Sequence, residues 1–217
     1  MKFETLLKSE IMKMKPKRVL NLACGEVLIP NFLSDIDTKF YGIDLESLDE
    51  RVEICDIDRE KLPFKNGFFD LVICINSIEH FRTFSVFREV NRVLKMNGKF
   101  IFITPNIRNP LMRLNKTLPF IRDVRGLFYG VNYNYGVYYF MNDIETIRKI
   151  AKWFNFNVCR IKLFGFVNGY FLFSKTLSKL VGKLEKVAYK TNPDIQPTIY
   201  ASFIKSGRVV KFCKKKK

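Results

Sequence analysis

An apolar run that begins at Val19 breaks off at Asn21-Leu22-Ala23-Cys24-Gly25-Glu26, and Asp44 closes a second apolar run about twenty residues further on. A small residue at 23 and a glycine at 25 let the backbone come close to a ligand. The amino end of a helix following the turn would add unsatisfied N–H groups. Asp44 is a short, ionised, two-oxygen acceptor, suited to the paired hydroxyls of a ribose. Asp56, after a third apolar run, could accept from an adenine amino group. A pyrophosphate would call for G-x-G-x-x-G, but here Ala23 and Leu28 stand in for two of the three glycines, and Glu26 would repel a phosphate. A phosphate-free, positively charged nucleoside cofactor fits better, and S-adenosylmethionine is one. Each acid alone reads as an ordinary loop acid or N-cap; together with the turn they favour a cofactor site. His80, the one histidine, falls just beyond the fourth apolar run. It is a candidate general base for a hydroxyl acceptor, or an imidazole that fixes the next helix. Glu79 beside it reads as a helix-start acid.

The elements that must position these groups alternate. Phe3, Leu6, Leu7, Ile11 and Met14 recur at helical spacing, and Pro16 stops the pattern. Strands are expected at 18–23, 39–43, 51–55, 68–75 and 99–104. A short or distorted helix is expected over 26–34, limited by Pro30. A further helix carries Phe84, Phe87, Val90, Val93 and Leu94, and Asn97-Gly98 is expected to close it. From Asn106 to Met141 the periodicity is lost, and Phe120, Phe128, Tyr129, Tyr133, Tyr135, Tyr138, Tyr139 and Phe140 cluster there. This reads as an aromatic insertion over the carboxyl edge of a sheet, either lining an acceptor pocket or packing on itself. A helix over 142–154 capped by Asn142 or Asp143, a strand at 157–164, a basic amphipathic helix over 171–188 and a last strand at 198–204 complete the pattern. The alternation implies an α/β architecture, a mostly parallel seven-stranded sheet with helices on both faces. Residues 1–205 form one domain in this reading, with the insertion at about 106–141 and a basic tail at 206–217.

Taken in order, these segments resemble class I S-adenosylmethionine-dependent methyltransferases of the UbiE/UbiG-like type (methyltransferase type 11). Val19 to Gly25 is similar to their first motif, and Gly42-Ile43-Asp44 to the second. Asp56, Leu62-Pro63-Phe64 and Phe68 to Val72 resemble a D…LPF…FDLV segment. Ser77 to Phe81 looks like an LEH element, Arg92 to Lys99 like RVLKPGG, and Thr104-Pro105-Asn106 like TPN. Phe140 to Ile144 resembles the later FT-x-x-[ED]-L segment. The resemblance covers about residues 18 to 165. It implies a Rossmann-like three-layer sandwich with an antiparallel last strand, and a cofactor pocket formed by Asn21, Ala23, Cys24, Gly25, Asp44, Leu45, Asp56, Ile57, Asn76 and Ser77. It implies methyl transfer from the sulfonium, with His80 as the catalytic candidate. Two departures stand out: Asn21 replaces an Asp near the cofactor's amino group, and Val27 replaces a glycine where it would crowd the methionine part.

Composition bounds the partners. Hydrophobic residues make up 47% of the chain, and 38 Lys and Arg against 21 Asp and Glu give a net charge of +17. Such a field attracts anionic membrane, nucleic acid or acidic substrates, or only keeps the protein soluble. The five cysteines form no C-x-x-C pair, so no zinc site is expected. Asn76 stands where a metal-binding branch has a carboxylate, which disfavours a metal. Met1 to Arg18 lacks the apolar stretch of a secretory signal, and no apolar run has the length of a membrane span, so a cytoplasmic protein without a transmembrane segment is expected. The expected function is methyl transfer to a small-molecule, lipid-linked or glycan acceptor. The alternative is a catalytically degenerate methyltransferase-like module using its basic surface on RNA or anionic membrane. A nicotinamide dehydrogenase is opposed by the missing glycines.

Overall fold

The computed structural model describes residues 3–25, 27–47, 49–117, 136–165 and 174–207. The apolar runs form β1 (Arg18–Leu22), β2 (Lys39–Asp44), β3 (Val52–Ile54), β4 (Phe69–Ile75), β5 (Leu94–Pro105), β6 (Phe156–Phe164) and β7 (Thr198–Lys205). The helices are α1 (Phe3–Met14), α2 (Ser85–Val93), α3 (Pro110–Thr117), α4 (Ile144–Trp153) and α5 (Lys175–Thr191). The strands make one sheet in the order β3-β2-β1-β4-β5-β7-β6. The first five in that order run parallel, and β7 is antiparallel to both neighbours, as expected.

The pleat divides the core. Alternate residues of β1, β4 and β5 face opposite ways. Leu20, Val72, Phe100 and Phe102 join Phe87 and Val90 of α2 and Ile147 and Ile150 of α4 on one face. Val19, Leu71, Ile101 and Ile103 meet Leu6, Leu7 and Ile11 of α1 on the other. That two-sided burial is why Phe69–Ile75 reads as a continuous apolar run rather than an alternating one. Asp143 caps α4, accepting from the Thr146 N–H at 2.9 Å.

Four expectations are corrected. No α-helix follows β1 among the described residues: Asn31–Leu33 makes a single 3-10 turn after Pro30, whose missing N–H and fixed φ interrupt a helix there. Asn97-Gly98 does not close α2, which stops at Val93. Leu94 already pairs with Phe69, and the register breaks before Leu71 meets Lys99, so Asn97 (φ 63°) and Gly98 form an irregularity inside the strand. Within the insertion, Pro110–Thr117 is helical, because Pro110 suits a first turn and Asn109 Oδ1 accepts from the N–H groups of Leu111 (3.0 Å) and Met112 (3.2 Å). The basic helix starts at Lys175, where the Ser174 hydroxyl accepts from Leu177 N–H. Glu26, Phe120, Phe128, Tyr129, Tyr133, Tyr135, the segment 171–173 and the tail 208–217 lie outside the described residues. No described helix is long and apolar enough to cross a membrane.

Candidate functional site

A cleft of about 900 Å³ opens at the carboxyl ends of β1, β2 and β4. Its floor is strained backbone. Ala23 (φ 53°) and Asn76 (φ 55°) take the left-handed conformation without being glycine, and Gly25 (φ 59°) takes it as glycine. For Ala23 this costs about 1 kcal/mol. A Cβ built on Gly25 would meet nothing within 4 Å, so glycine is needed there for its φ rather than for space. The Ser77 hydroxyl lies 3.2 Å from the carbonyls of both Ala23 and Ile75, tying the ends of β1 and β4 together.

Asp44 organises the mouth. Its Oδ2 accepts from Gly25 N–H and its Oδ1 from Leu45 N–H, each at 2.7 Å. Each oxygen keeps a second lone pair for a ligand hydroxyl. Asp56 follows β3; it turns its own chain through Asp58 N–H (3.0 Å) and faces Arg59 at 3.4 Å, an exposed pair worth well under ~1 kcal/mol. Asp58 reaches across 24 residues to accept from Arg82 N–H (2.9 Å) and Thr83 N–H (3.0 Å). Asp44, Glu46, Asp56 and Asp58 thus line a cleft whose cationic groups are Arg59 and Arg82. This donor set suits a cationic ligand rich in hydroxyls better than a phosphate.

The far wall is built by the turn Ile78–His80. The half-buried His80 ring donates from Nδ1 to the Gly136 carbonyl at 2.8 Å. The Glu79 carbonyl accepts from the N–H groups of Tyr138 (2.8 Å) and Tyr139 (3.3 Å), so this turn fastens segment 136–139 along the cleft. Tyr138 stacks on Phe140 at 5.8 Å, and the Arg82 guanidinium lies 5.5 Å from the Tyr138 ring centre. The Glu79 side chain is buried, accepting from Thr104 Oγ1 at 3.1 Å; Thr104 in turn accepts from Asn142 Nδ2 at 2.6 Å. Burial pushes the Glu79 carboxyl up to about 7. Asn142 Oδ1 is buried with no hydrogen-bond partner among the described residues.

Nine of the residues predicted from the sequence share the cleft: Ala23, Gly25, Asp44, Leu45, Asp56, Ile57, Asn76, Ser77 and His80. Two do not. Asn21 is buried and its Nδ2 donates to the carbonyls of Val27 (3.2 Å) and Leu28 (3.1 Å). An aspartate could not donate to either, so the amide here shapes the turn rather than weakening a ligand contact. Cys24 packs beside Gly42, whose added Cβ would lie 3.0 Å from the thiol sulfur. Burial first, then the Asp44 carboxylate, pushes the Cys24 thiol up to about 11, which removes it as a thiolate nucleophile near neutral pH. Val27 is 51% exposed and off the cleft wall, so the expected crowding is not seen. Asp58, Arg82 and Thr83 were missed because their meeting spans two loops and leaves no local pattern. No described group of three or more His, Cys, Asp or Glu is placed to hold a metal.

Two motif residues act beneath the cleft. Arg92 donates to the carbonyls of Leu62 (2.8 Å) and Phe64 (2.7 Å), to Asn66 Oδ1 (3.0 Å) and to Glu89, whose Oε2 accepts from Leu62 N–H. Asp70 accepts from the N–H groups of Lys17 and Arg18 and pairs with Lys95, pinning the start of β1. The spacing of these residues records loop closure, not chemistry.

Residues 20–102 match the family model described as a methyltransferase domain. An uncharacterized protein of Methanocaldococcus jannaschii is 36% identical over 107 residues, 47% of this chain and 47% of that protein. Malonyl-[acyl-carrier protein] O-methyltransferase of Legionella pneumophila is 32% identical over 114 residues, covering 44% of this chain and 38% of the relative. The matches thus span less than half the length of these curated relatives. Among solved structures, the YcgJ protein of Bacillus subtilis superposes with a TM-score of 0.61 over 94% of this chain and 98% of that one, at 15% identity. Geranyl diphosphate C-methyltransferase of Streptomyces coelicolor, solved with S-adenosyl-L-homocysteine, gives 0.56 over 93% and 80%, at 12% identity. The fold is that of class I methyltransferases.

Proposed function

With a methyltransferase-domain match over residues 20–102 set in the class I methyltransferase fold, we propose that this chain uses S-adenosylmethionine to methylate a small-molecule acceptor. The observation that carries this reading is the Asp44 carboxylate, set by two backbone N–H groups at the lip of a cleft that has more carboxylates than guanidiniums. Bound there, the cofactor supplies an activated methyl group on a sulfonium.

The protein's part is to bind, align and exclude water. Asp44 accepts from the ribose hydroxyls, and Asp56 with the Ile57 backbone receives the adenine edge. The left-handed backbone at Ala23 and Gly25 allows close approach, and Asn76 and Ser77 border the donor end. Tyr138, which lines the same cleft, meets the acceptor in this proposal. His80, oriented on the cleft wall by its Nδ1 bond to the Gly136 carbonyl, is the base in this proposal for a hydroxyl or amine acceptor. The proposed acceptor class includes lipid-linked and glycan hydroxyls. The chain works as an enzyme of the EC 2.1.1 type in this proposal.

Isothermal titration with S-adenosylhomocysteine tests it. Binding is expected for the folded protein, and Asp44→Ala should weaken it. A folded protein that does not bind even at millimolar ligand would refute the proposal.

A further inference from the structure

Helix α5 is turned inside out. Along its 17 residues only Ser178 and Glu185 are buried, while Leu180, Leu184 and Val187 are 52%, 62% and 65% exposed. Its two buried side chains are polar, with Leu177, Val181 and Ala188 half-buried beside them; Glu185 meets the Tyr189 hydroxyl, and Asn109 Nδ2 donates to that same hydroxyl at 3.3 Å. Glutamate is among the side chains least often found buried, so a surface helix with this order inverts the usual pattern. Positions 180, 184 and 187 stand one above another at spacings of four and three, forming a single outward apolar stripe. Lys179, Lys183, Lys186 and Lys190 repeat at the same spacing along its flank, all exposed. Glu185 is the only acid in the helix, and it faces inward.

Topology fixes where the helix hangs. β6 ends and β7 begins at the same edge, since Phe164 pairs with Thr198 and Thr198 with Pro105. The carboxyl end of α5 therefore runs into β7 at the carboxyl edge of the sheet, the edge at which the cleft opens. Asn106 Nδ2 donates to the carbonyls of Asp194 (2.9 Å) and Gln196 (2.7 Å), and Asn109 Nδ2 to that of Ile195 (2.8 Å), which locks the connection to β7 in place. The stripe is thus carried on a fixed support rather than on a free arm.

We propose that α5 is a membrane-docking surface that lies in the interface of an anionic lipid bilayer, with Leu180, Leu184 and Val187 among the acyl chains and the lysine row against the headgroups. An apolar stripe flanked by lysines is the composition that binds such a surface. The net charge of +17 supplies the long-range attraction. A nucleic acid would use the lysines but not the stripe, and a second copy of this chain would carry the same lysines to the contact. Docking does not depend on methyl transfer, and it sets the carboxyl edge beside the bilayer.

Vesicle co-sedimentation of the full chain tests this, with phosphatidylglycerol–phosphatidylcholine vesicles against phosphatidylcholine alone. Binding is expected to the anionic vesicles and to weaken with salt. Leu184→Glu with Val187→Glu should reduce partitioning at least ~10-fold, from the two lost apolar contacts. Replacing Lys179, Lys183 and Lys186 by Ser should cost about fivefold per lysine. All three positions and both apolar ones are exposed, so circular dichroism and S-adenosylhomocysteine titration should be unchanged in these variants. A folded wild-type protein that ignores anionic vesicles, or vesicle binding indifferent to the Leu184 and Val187 changes, overturns the proposal. So does a dimer in analytical ultracentrifugation that those changes dissolve, or RNA binding lost only with the lysines.

Discussion

The two halves of the sheet are built by different means. In the half formed by β3, β2, β1 and β4, the functional geometry comes from tight turns: left-handed residues at 23, 25 and 76, and an aspartate at the end of β2 bound to the turn after β1. In the half formed by β5, β7 and β6, it comes from side-chain amides joining segments far apart in the chain. Asn106 reaches Asp194 and Gln196, Asn109 reaches Tyr189 and Ile195, and Asn142 reaches Thr104. Glu79 stands between the halves, its carbonyl on Tyr138 and its carboxyl on Thr104. The contrast teaches that the first half brings backbone to the lip of the cleft through local turns, and the second holds a wall and a helix in place through long-range amide bonds.

The sharpest break of this contrast is Arg92→Ala. It removes a half-buried guanidinium that closes the loop at 62–66 and leaves Glu89 unpaired. A loss of about 3–5 kcal/mol is expected in denaturant unfolding. A loss under ~1 kcal/mol would mean the loop closes without it.

Glu79→Gln is expected to act next, and with a defined pH dependence. An acid whose pKa rises from 4.5 to about 7 on folding binds more protons folded than unfolded between those values. Stability should therefore fall as pH rises from about 4.5 to 7 and level off above, by on the order of 3 kcal/mol for this group. The glutamine variant should flatten that part of the profile and be the more stable protein at pH 8. Equal slopes for the two proteins would show that Glu79 does not titrate on folding.

Asn106→Ala tests whether the second half is separable. It strips two carbonyls of their donors in a fully buried position, at a cost of about 2 kcal/mol. Hydrogen exchange should speed up in α5 while S-adenosylhomocysteine affinity stays within about twofold. Equal loosening around Gly25 would show the halves to be one cooperative unit. Gly42→Ala probes the first half at close range: an added Cβ would lie 2.7 Å from both Leu28 Cδ1 and Val52 Cγ2 and 3.0 Å from the Cys24 sulfur. Overpacking of about 1–2 kcal/mol is expected in thermal unfolding.

Val27→Gly should have the smallest effect, a few tenths of a kcal/mol in stability and no measurable change in cofactor affinity, since Val27 is exposed and off the cleft wall. A tenfold gain in affinity would restore the crowding expected from sequence.

Legibility follows the same division. The succession of strands and helices along the chain, the turn at 23–25 and the acids at 44 and 56 show in the sequence because each depends on neighbours in the chain: apolar periodicity, a small residue before a glycine, an acid after an apolar run. The setting of Asn21 is illegible for the converse reason. As a substitution for aspartate it suggests a weakened ligand contact, and only the backbone path brings Val27 and Leu28 under its amide. The helix expected after β1 is limited by a local rule, Pro30, and among the described residues only a 3-10 turn remains.

What the sequence alone determined is the α/β alternation, the parallel sheet it implies and a methyltransferase-like set of motifs, because periodicity and turn chemistry act over a few residues; the antiparallel last strand followed only from the resemblance those motifs carry. Tertiary structure alone decided that Arg92 and Asp70 serve the frame, that Glu79 is buried, that Asp58 holds Arg82 and Thr83, and that α5 shows its leucines to the outside. Those outcomes depend on which surfaces meet across tens of residues, and on which side of an amphipathic helix meets the protein, a choice that periodicity does not encode.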